Sequence, residues 1–187
     1  LVAGAALSVP MVAVVLRHGT AYFAHVGDSR CYLIRNEKLH QVTLDHSLVQ
    51  QMVLEGLISE AEMETHPVKN VIRRALGVKP KVDIEHSNQP YKVGDLFMLS
   101  SDGLTGPVLK PACLSLGLQH GDDIERACAD LIDLANANGG PDNITVEIGL
   151  VHSLVPGEVG EQTDRILPAG EVDPGEGTAD GKAFSFV

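Results

Sequence analysis

Cysteine is scarce in this sequence: Cys31, Cys113 and Cys128 are the only three. The count is odd and no Cys-x-x-Cys spacing occurs. That speaks against a disulfide framework or a zinc site, and for a reducing compartment, the cytoplasm. The three thiols are expected to act as small buried apolar residues. The sequon Asn143-Ile144-Thr145 then carries little weight, because glycosylation needs a secretory context. Positive charge is short as well. Fourteen Lys and Arg face 25 Asp and Glu, a formal net charge of -11. A chain of that sign is a poor match for nucleic acid or an anionic membrane surface. It suits a soluble protein, or one that attracts cations. No membrane span is expected either. Residues 1–16 carry no charge, but the run is too short to cross a bilayer, Pro10 interrupts it, and the charged start of a signal peptide is lacking. It reads as a buried strand preceded by small residues. Tryptophan is absent, no internal repeat is visible, and the eight histidines show no metal-binding spacing.

What is present is a succession of short elements. Residues 9–17 are β-rich, His18-Gly19 signals a turn, and 20–26 and 31–35 read as further strands. Asn36-Glu37 turns the chain into 38–43, which makes an antiparallel meander. Leu48, Val49, Met52 and Val53 recur at helical spacing until Gly56. Ser59 and Glu62 match a capping box for a second short helix, ended by His66-Pro67. Residues 70–76 are expected to form a turn or two of helix, and 82–86 and 96–101 strands. Ile124, Cys128, Leu131, Ile132 and Ala135 outline an amphipathic helix with Asp122 or Asp123 near its start. A break over 138–141 leads into a last strand over 143–151. This is a mixed domain of about 150 residues. Residues 153–187 carry seven acids against two basic residues, with repeated Gly and Pro. They read as a disordered tail or linker that could be deleted with little effect on thermal stability.

Three acids share a setting. Asp28 ends a strand in "AHVGDSR", Asp102 ends one in "LSSDGL", and Asp142 opens one in "GGPDNITV". Singly, each is a common turn residue. Together, three carboxylates at one end of a sheet would repel one another unless a cation sat among them. Oxygen ligands favour Mg²⁺, Mn²⁺ or Ca²⁺ over zinc. Gly103 would let backbone approach such a site closely.

The segments "VGDSRCYLIR", "DHSLVQQMVLEGLISEAEMETHPVKNVIRRALG", "GDLFMLSSDGLTG" and "NGGPDNITV" resemble, in order and spacing, the catalytic domain of bacterial metal-dependent type-2C (PPM-type) protein serine/threonine phosphatases. The resemblance covers residues 9–151. It implies an α+β fold: two packed antiparallel β-sheets flanked by helices in a four-layer sandwich, with 1–152 a partial domain incomplete at its N-terminus. It also implies hydrolysis of phosphoserine and phosphothreonine in proteins by a metal-activated water. Asp102 and Asp142 would be ligands of a binuclear Mn²⁺ or Mg²⁺ centre, and Asp28 with Asp102 would hold a third, weaker ion. Gly103 and Asn143 would form the turns beside it. Residues 47–75 resemble a flap tuning substrate access, with Ser47, Gly56, His66, Asn70 and Arg73 as its marked positions. Phosphorylated proteins would be the substrates and a serine/threonine kinase a partner.

Nothing in residues 1–10 matches the family's opening motifs: the acid bridging both metals, the glycine after it and the phosphate-gripping arginine. The chain is therefore expected to show little phosphatase activity alone, even with Mn²⁺. The alternative is a non-catalytic binding or regulatory module that keeps the fold without a complete metal centre. A generic cation binder would explain the acids but not the flap-like segment. Arg30 is expected in a structural salt bridge rather than on phosphate. Asp45-His46 is expected to serve a turn and a helix cap. Residues 107–118, apolar and with two prolines, depart from the family.

Overall fold

The computed structural model describes residues 9–63, 65–154 and 166–171. Among them the chain runs β1 (Met11–Arg17), β2 (Thr20–Val26), β3 (Arg30–Arg35), β4 (Lys38–Gln41), α1 (Leu48–Leu54), α2 (Glu60–Met63), β5 (Glu85–Pro90), β6 (Leu96–Ser100), α3 (Asp102–Thr105), α4 (Lys110–Gln119), α5 (Ile124–Ala137) and β7 (Val146–Leu150). No helix among these residues is long and apolar enough to cross a membrane.

Both expected tight turns form. His18 and Gly19 join β1 to β2 with φ of 50° and 77°, and Asn36 and Glu37 join β3 to β4 with φ of 51° and 57°. Two left-handed residues match the twist of the strands they connect. The meander expected from these hairpins is nevertheless split. β1, β2 and β5 form one antiparallel sheet, and β4, β3, β6 and β7 a second. The chain changes sheet between β2 and β3, at Gly27 and Asp28. Gly27 has φ of +103°, and a Cβ there would lie 2.4 Å from the Cβ of Pro10, so only glycine fits the crossing.

The two sheets pack through Ala21 and Phe23 of β2, Cys31 and Leu33 of β3, and Phe97 of β6, with Val42, Tyr91 and Val151 closing the cluster. Phe23 and Phe97 meet at 5.9 Å between ring centroids. Fully burying a side chain of this size contributes roughly 1.5–3 kcal/mol. The other face of the second sheet presents Tyr32, Ile34, Leu96, Met98 and Ile148 to α3, α4 and α5. In α5 the residues Ala127, Leu131 and Ala135 are buried at intervals of four, and Asp123 caps the helix by accepting the N–H of Arg126 at 3.0 Å. Within residues 107–118, those from Lys110 onward form α4, because Pro111 sits in the first turn, where its missing N–H costs no hydrogen bond. The outer face of the first sheet differs. Val15, Tyr22 and Met11 are 55%, 45% and 37% exposed, and no described helix covers them. The strand expected to be buried in residues 1–16 is therefore β1, and it is not buried: Val12 and Val14 are half-buried against the inter-sheet cluster, and Met11, Val15 and Leu16 are exposed, because the outer face has no cover; residues 1–8 lie outside the described part.

A buried ion pair fastens the end of β3 to the turn before β6. Arg35 Nε donates to Asp95 Oδ1 at 2.8 Å, another Arg35 nitrogen donates to the Pro90 carbonyl, and Asp95 also accepts the Lys92 N–H. The capping box is present in both directions: Ser59 N–H to Glu62 Oε2 at 2.8 Å, and Glu62 N–H to Ser59 Oγ at 3.3 Å. Residues 70–76 are not helical as expected. They run extended, because their backbone bonds elsewhere: Leu48 N–H to Val71 O, Arg73 N–H to His46 O, and a reciprocal pair between Leu76 and Val9. Within the stretch expected to be a tail, Ile166 packs on the inter-sheet cluster, Leu167 is buried, and the Gly170 N–H reaches the Val42 carbonyl at 3.3 Å.

Candidate metal centre

A cleft of about 620 Å³ opens where the two sheets end, and Asp28, Asp102 and Asp142 all line it. Each arrives by a different route. Asp28 sits on the crossing from the first sheet to the second. Asp102 is the first residue of α3, immediately beyond β6. Asp142 lies in the loop that leads from α5 into β7.

The last two are knitted together by backbone. Ser101 Oγ donates to the Asn143 carbonyl at 3.1 Å and accepts the Thr145 N–H at 3.0 Å, while the Ser101 N–H reaches the Thr145 carbonyl. Gly103 makes the closeness possible. A Cβ there would stand 2.2 Å from the Asn143 carbonyl oxygen, inside any van der Waals contact. The expected turn residues Gly103 and Asn143 are thus in direct apposition.

The electrostatics suit a cation. Asp28 Oδ1 is buried and has no hydrogen-bond partner. Burial, and then the charge of Asp102, push the Asp28 carboxyl from 3.8 up to about 6. A buried, unsatisfied carboxylate oxygen beside a second carboxylate is costly unless positive charge is supplied. The donor set is carboxylate oxygen, which fits Mg²⁺ or Mn²⁺. The three aspartates share the cleft, and their oxygens do not all close to within 4.8 Å of one another. Asp142 Oδ1 meanwhile accepts the N–H of Asn143 at 2.7 Å.

The flap-like residues are more scattered. Ser47 caps α1, accepting the Gln50 N–H at 3.2 Å. Gly56 follows that helix at φ +71°. His66 is half-buried, accepting the Val68 N–H, and Asn70 and Arg73 are exposed. None of these five lines the cleft; Ile72 does, drawn in by its bridge to Ser47. The cleft also takes in Ser29, Ser100, Ser101, Thr145 and Glu147, none of them marked from sequence. The pair of serines ending an otherwise apolar strand in "LFMLSSDG" was a signal for Ser100 and Ser101 alone.

Arg30 is held as expected. Its Nε donates to Asp45 Oδ1 at 2.9 Å, a terminal nitrogen donates to Asp45 Oδ2 at 2.7 Å, and another donates to the Tyr32 hydroxyl. Asp45-His46 is not a helix cap, a role Ser47 fills. Both side chains turn inward instead. His46 stacks on His25 with ring centroids 4.6 Å apart, and its Nε2 lies 3.1 Å from Glu85 Oε2. His25 Nε2 bonds the Leu44 carbonyl at 2.7 Å, and burial holds the His25 pKa below its ordinary value. Ligand atoms of His25, His46 and Glu85 lie within 4.8 Å of one another. A metal does not suit this trio, because His46 Nδ1 accepts the Gly27 N–H at 3.1 Å. That bond puts the ring proton on Nε2, so the neutral ring has no lone pair to offer toward Glu85.

Known proteins are similar to this chain in sequence and in fold. The family model described as protein phosphatase 2C matches residues 8–51. The chain is 39% identical over 136 residues to the serine/threonine phosphatase stp of Listeria monocytogenes, across 73% of this chain and 54% of that protein. The solved serine/threonine phosphatase PstP/Ppp of Mycobacterium tuberculosis superposes with a TM-score of 0.72 at 33% identity, covering 77% of this chain and 60% of that one. A structure of the PstP catalytic domain in complex with two manganese ions superposes with a TM-score of 0.66 at 34% identity, over 77% and 59% of the two chains. The chain spans about half the length of the curated relatives it matches.

Proposed function

This chain belongs to the bacterial PPM-type (protein phosphatase 2C) family, and from that membership we propose that it supplies part of the active site of a metal-dependent protein serine/threonine phosphatase. The observation that carries the reading is the buried, partnerless Oδ1 of Asp28 in the cleft it shares with Asp102 and Asp142. We assign Asp102 and Asp142 to an Mn²⁺ or Mg²⁺ centre, and Asp28 with Asp102 to a further, weaker ion. Such ions, when bound, lower the pKa of water and offset charge on a phosphoryl group.

The chain's own residues prepare that site. Ser101 and Gly103 hold the Asp102 and Asp142 loops together, so two ligands from distant parts of the sequence arrive pre-positioned. Arg30 neutralises Asp45, keeping one more negative charge out of the site. A cysteine phosphoenzyme is disfavoured: burial pushes the thiols of Cys31 and Cys113 up to about 12 and about 11, so neither is a thiolate at neutral pH. We further propose phosphorylated proteins as substrates, a serine/threonine kinase as functional partner, and a cytoplasmic setting. Residues 1–152 would form the partial phosphatase domain, and 153–187 an acidic tail or linker touching it through 166–171.

The test is hydrolysis of a phosphothreonine peptide, with Mn²⁺, by a protein that carries this chain together with the rest of a family domain. Asp102→Asn is expected to lower kcat/KM at least 100-fold. Unchanged turnover would refute the assignment. The 187-residue chain alone is expected to show little activity.

A further inference from the structure

We propose that His46 is a positioning residue that clamps the Asp28 turn and ties it to the flap-like segment, with Glu85 fixing the ring in place. His46 touches both backbone groups of Gly27, the residue before Asp28. Its Nδ1 accepts the Gly27 N–H at 3.1 Å, and its own N–H donates to the Gly27 carbonyl at 2.8 Å. The same residue's carbonyl accepts the Arg73 N–H at 2.7 Å, next to Ile72, which lines the cleft. Gly27 therefore has both of its backbone hydrogen-bonding groups satisfied by one residue, across nineteen positions of sequence.

Glu85 holds the clamp in the right state. Only a ring with a bare Nδ1 can accept the Gly27 N–H, and that ring carries its proton on Nε2, facing Glu85 Oε2 at 3.1 Å. The stacked His25 limits rotation of the ring, and its own Nε2 is engaged by the Leu44 carbonyl. The clamp extends outward: a Cβ on Gly170 would lie 3.0 Å from Glu85 Oε1, so the backbone at Gly170 lies against the Glu85 carboxylate. Partners one shell away from a metal ligand commonly change metal affinity 10–100-fold when removed. The inference rests on the reading that Asp28 holds a cation. The Gly27 clamp itself is a claim about the metal-free protein.

The experiment uses the full chain, with His46→Ala, His46→Asn and Glu85→Ala, and two readouts. The first is hydrogen exchange of the Gly27 and Arg73 amides without metal. The second is Mn²⁺ affinity by calorimetry. His46→Ala is expected to speed Gly27 exchange at least tenfold and to weaken Mn²⁺ binding about tenfold. His46→Asn, whose amide oxygen falls near the Nδ1 position, is expected to restore both to within about threefold of the parent. Val151→Ala, a change in the inter-sheet cluster beyond the end of β7 remote from the cleft, is the control: it should lower the melting temperature and leave Mn²⁺ affinity unchanged. Unchanged Gly27 exchange in His46→Ala, or unchanged Mn²⁺ affinity while the parent chain binds, overturns the proposal. If the parent binds no Mn²⁺, the cation reading of Asp28 fails, and the exchange readout still decides whether the clamp exists. Should His46→Ala not fold, Glu85→Ala carries the test, since it frees the ring while leaving the main-chain bonds of His46 in place.

Discussion

The two sheets of the sandwich are built to different standards. The β4-β3-β6-β7 sheet is covered on both faces: by the first sheet on one side, and by α3, α4 and α5 on the other. The β1-β2-β5 sheet is covered on one face only, and Val15 and Tyr22 stand about half exposed on the other. The difference divides the labour at the cleft. The doubly covered sheet delivers Asp102 and Asp142, whose loops are stitched by Ser101 and Gly103. The singly covered sheet delivers Asp28 through one glycine turn, which the His46 clamp holds.

The largest effect should come from breaking the covered sheet. Arg35 and Asp95 pair in full burial, so Asp95→Ala leaves an uncompensated buried guanidinium. Urea unfolding is expected to show a loss of about 3–5 kcal/mol. A loss under about 1 kcal/mol would mean the pair does not hold that sheet. Gly103→Ala should come next. The new methyl has to displace the Asn143 carbonyl, an overpacking cost of about 1–3 kcal/mol measurable in the same way.

Asp28→Asn sharpens the comparison in the opposite direction. The folded-state pKa of Asp28, about 6, lies above its ordinary value of 3.8. Between these values the folded protein keeps a proton that the unfolded chain has released, so the stability contribution of Asp28 falls as pH rises from about 3.8 to about 6, and stays low above that. Without metal, Asp28→Asn should therefore raise the melting temperature above pH 6 and make little difference near pH 3.8, by thermal unfolding across pH. A variant equally stable or less stable at pH 7 would contradict the account. The smallest effect belongs to the open face. Val15→Ala is expected to change stability by no more than about 0.5 kcal/mol, because the side chain is already largely in water.

How much of this was legible in the sequence follows the range of the interactions. Hairpin turns, the capping box and α5 were readable because their determinants lie within a few residues: positive-φ turn pairs, Ser59 with Glu62, and Asp123 ahead of a four-residue apolar period. The three acids were readable because each sits at a strand end. The split of the meander into two sheets came only through the resemblance to the family and not from the local pattern, since it depends on Gly27 fitting against Pro10. The extended course of 70–76 was hidden for a related reason. Its backbone partners are Val9, His46 and Leu48, and a local helical preference yields to bonds of that range. None of the five flap positions singled out by resemblance lines the cleft. Ile72 reaches it through its bridge to Ser47, a contact that no local pattern encodes.

The central claim is that Asp28, Asp102 and Asp142 share divalent cations at the mouth of the sandwich. The most direct measurement is paramagnetic broadening of backbone amide signals on titrating Mn²⁺ into the isotope-labelled chain. Signals of residues 27–30, 101–104 and 142–145 should broaden first, and Asp102→Asn should abolish that selectivity. Broadening centred instead on the acidic segment 171–180, or a pattern untouched by Asp102→Asn, would contradict the claim.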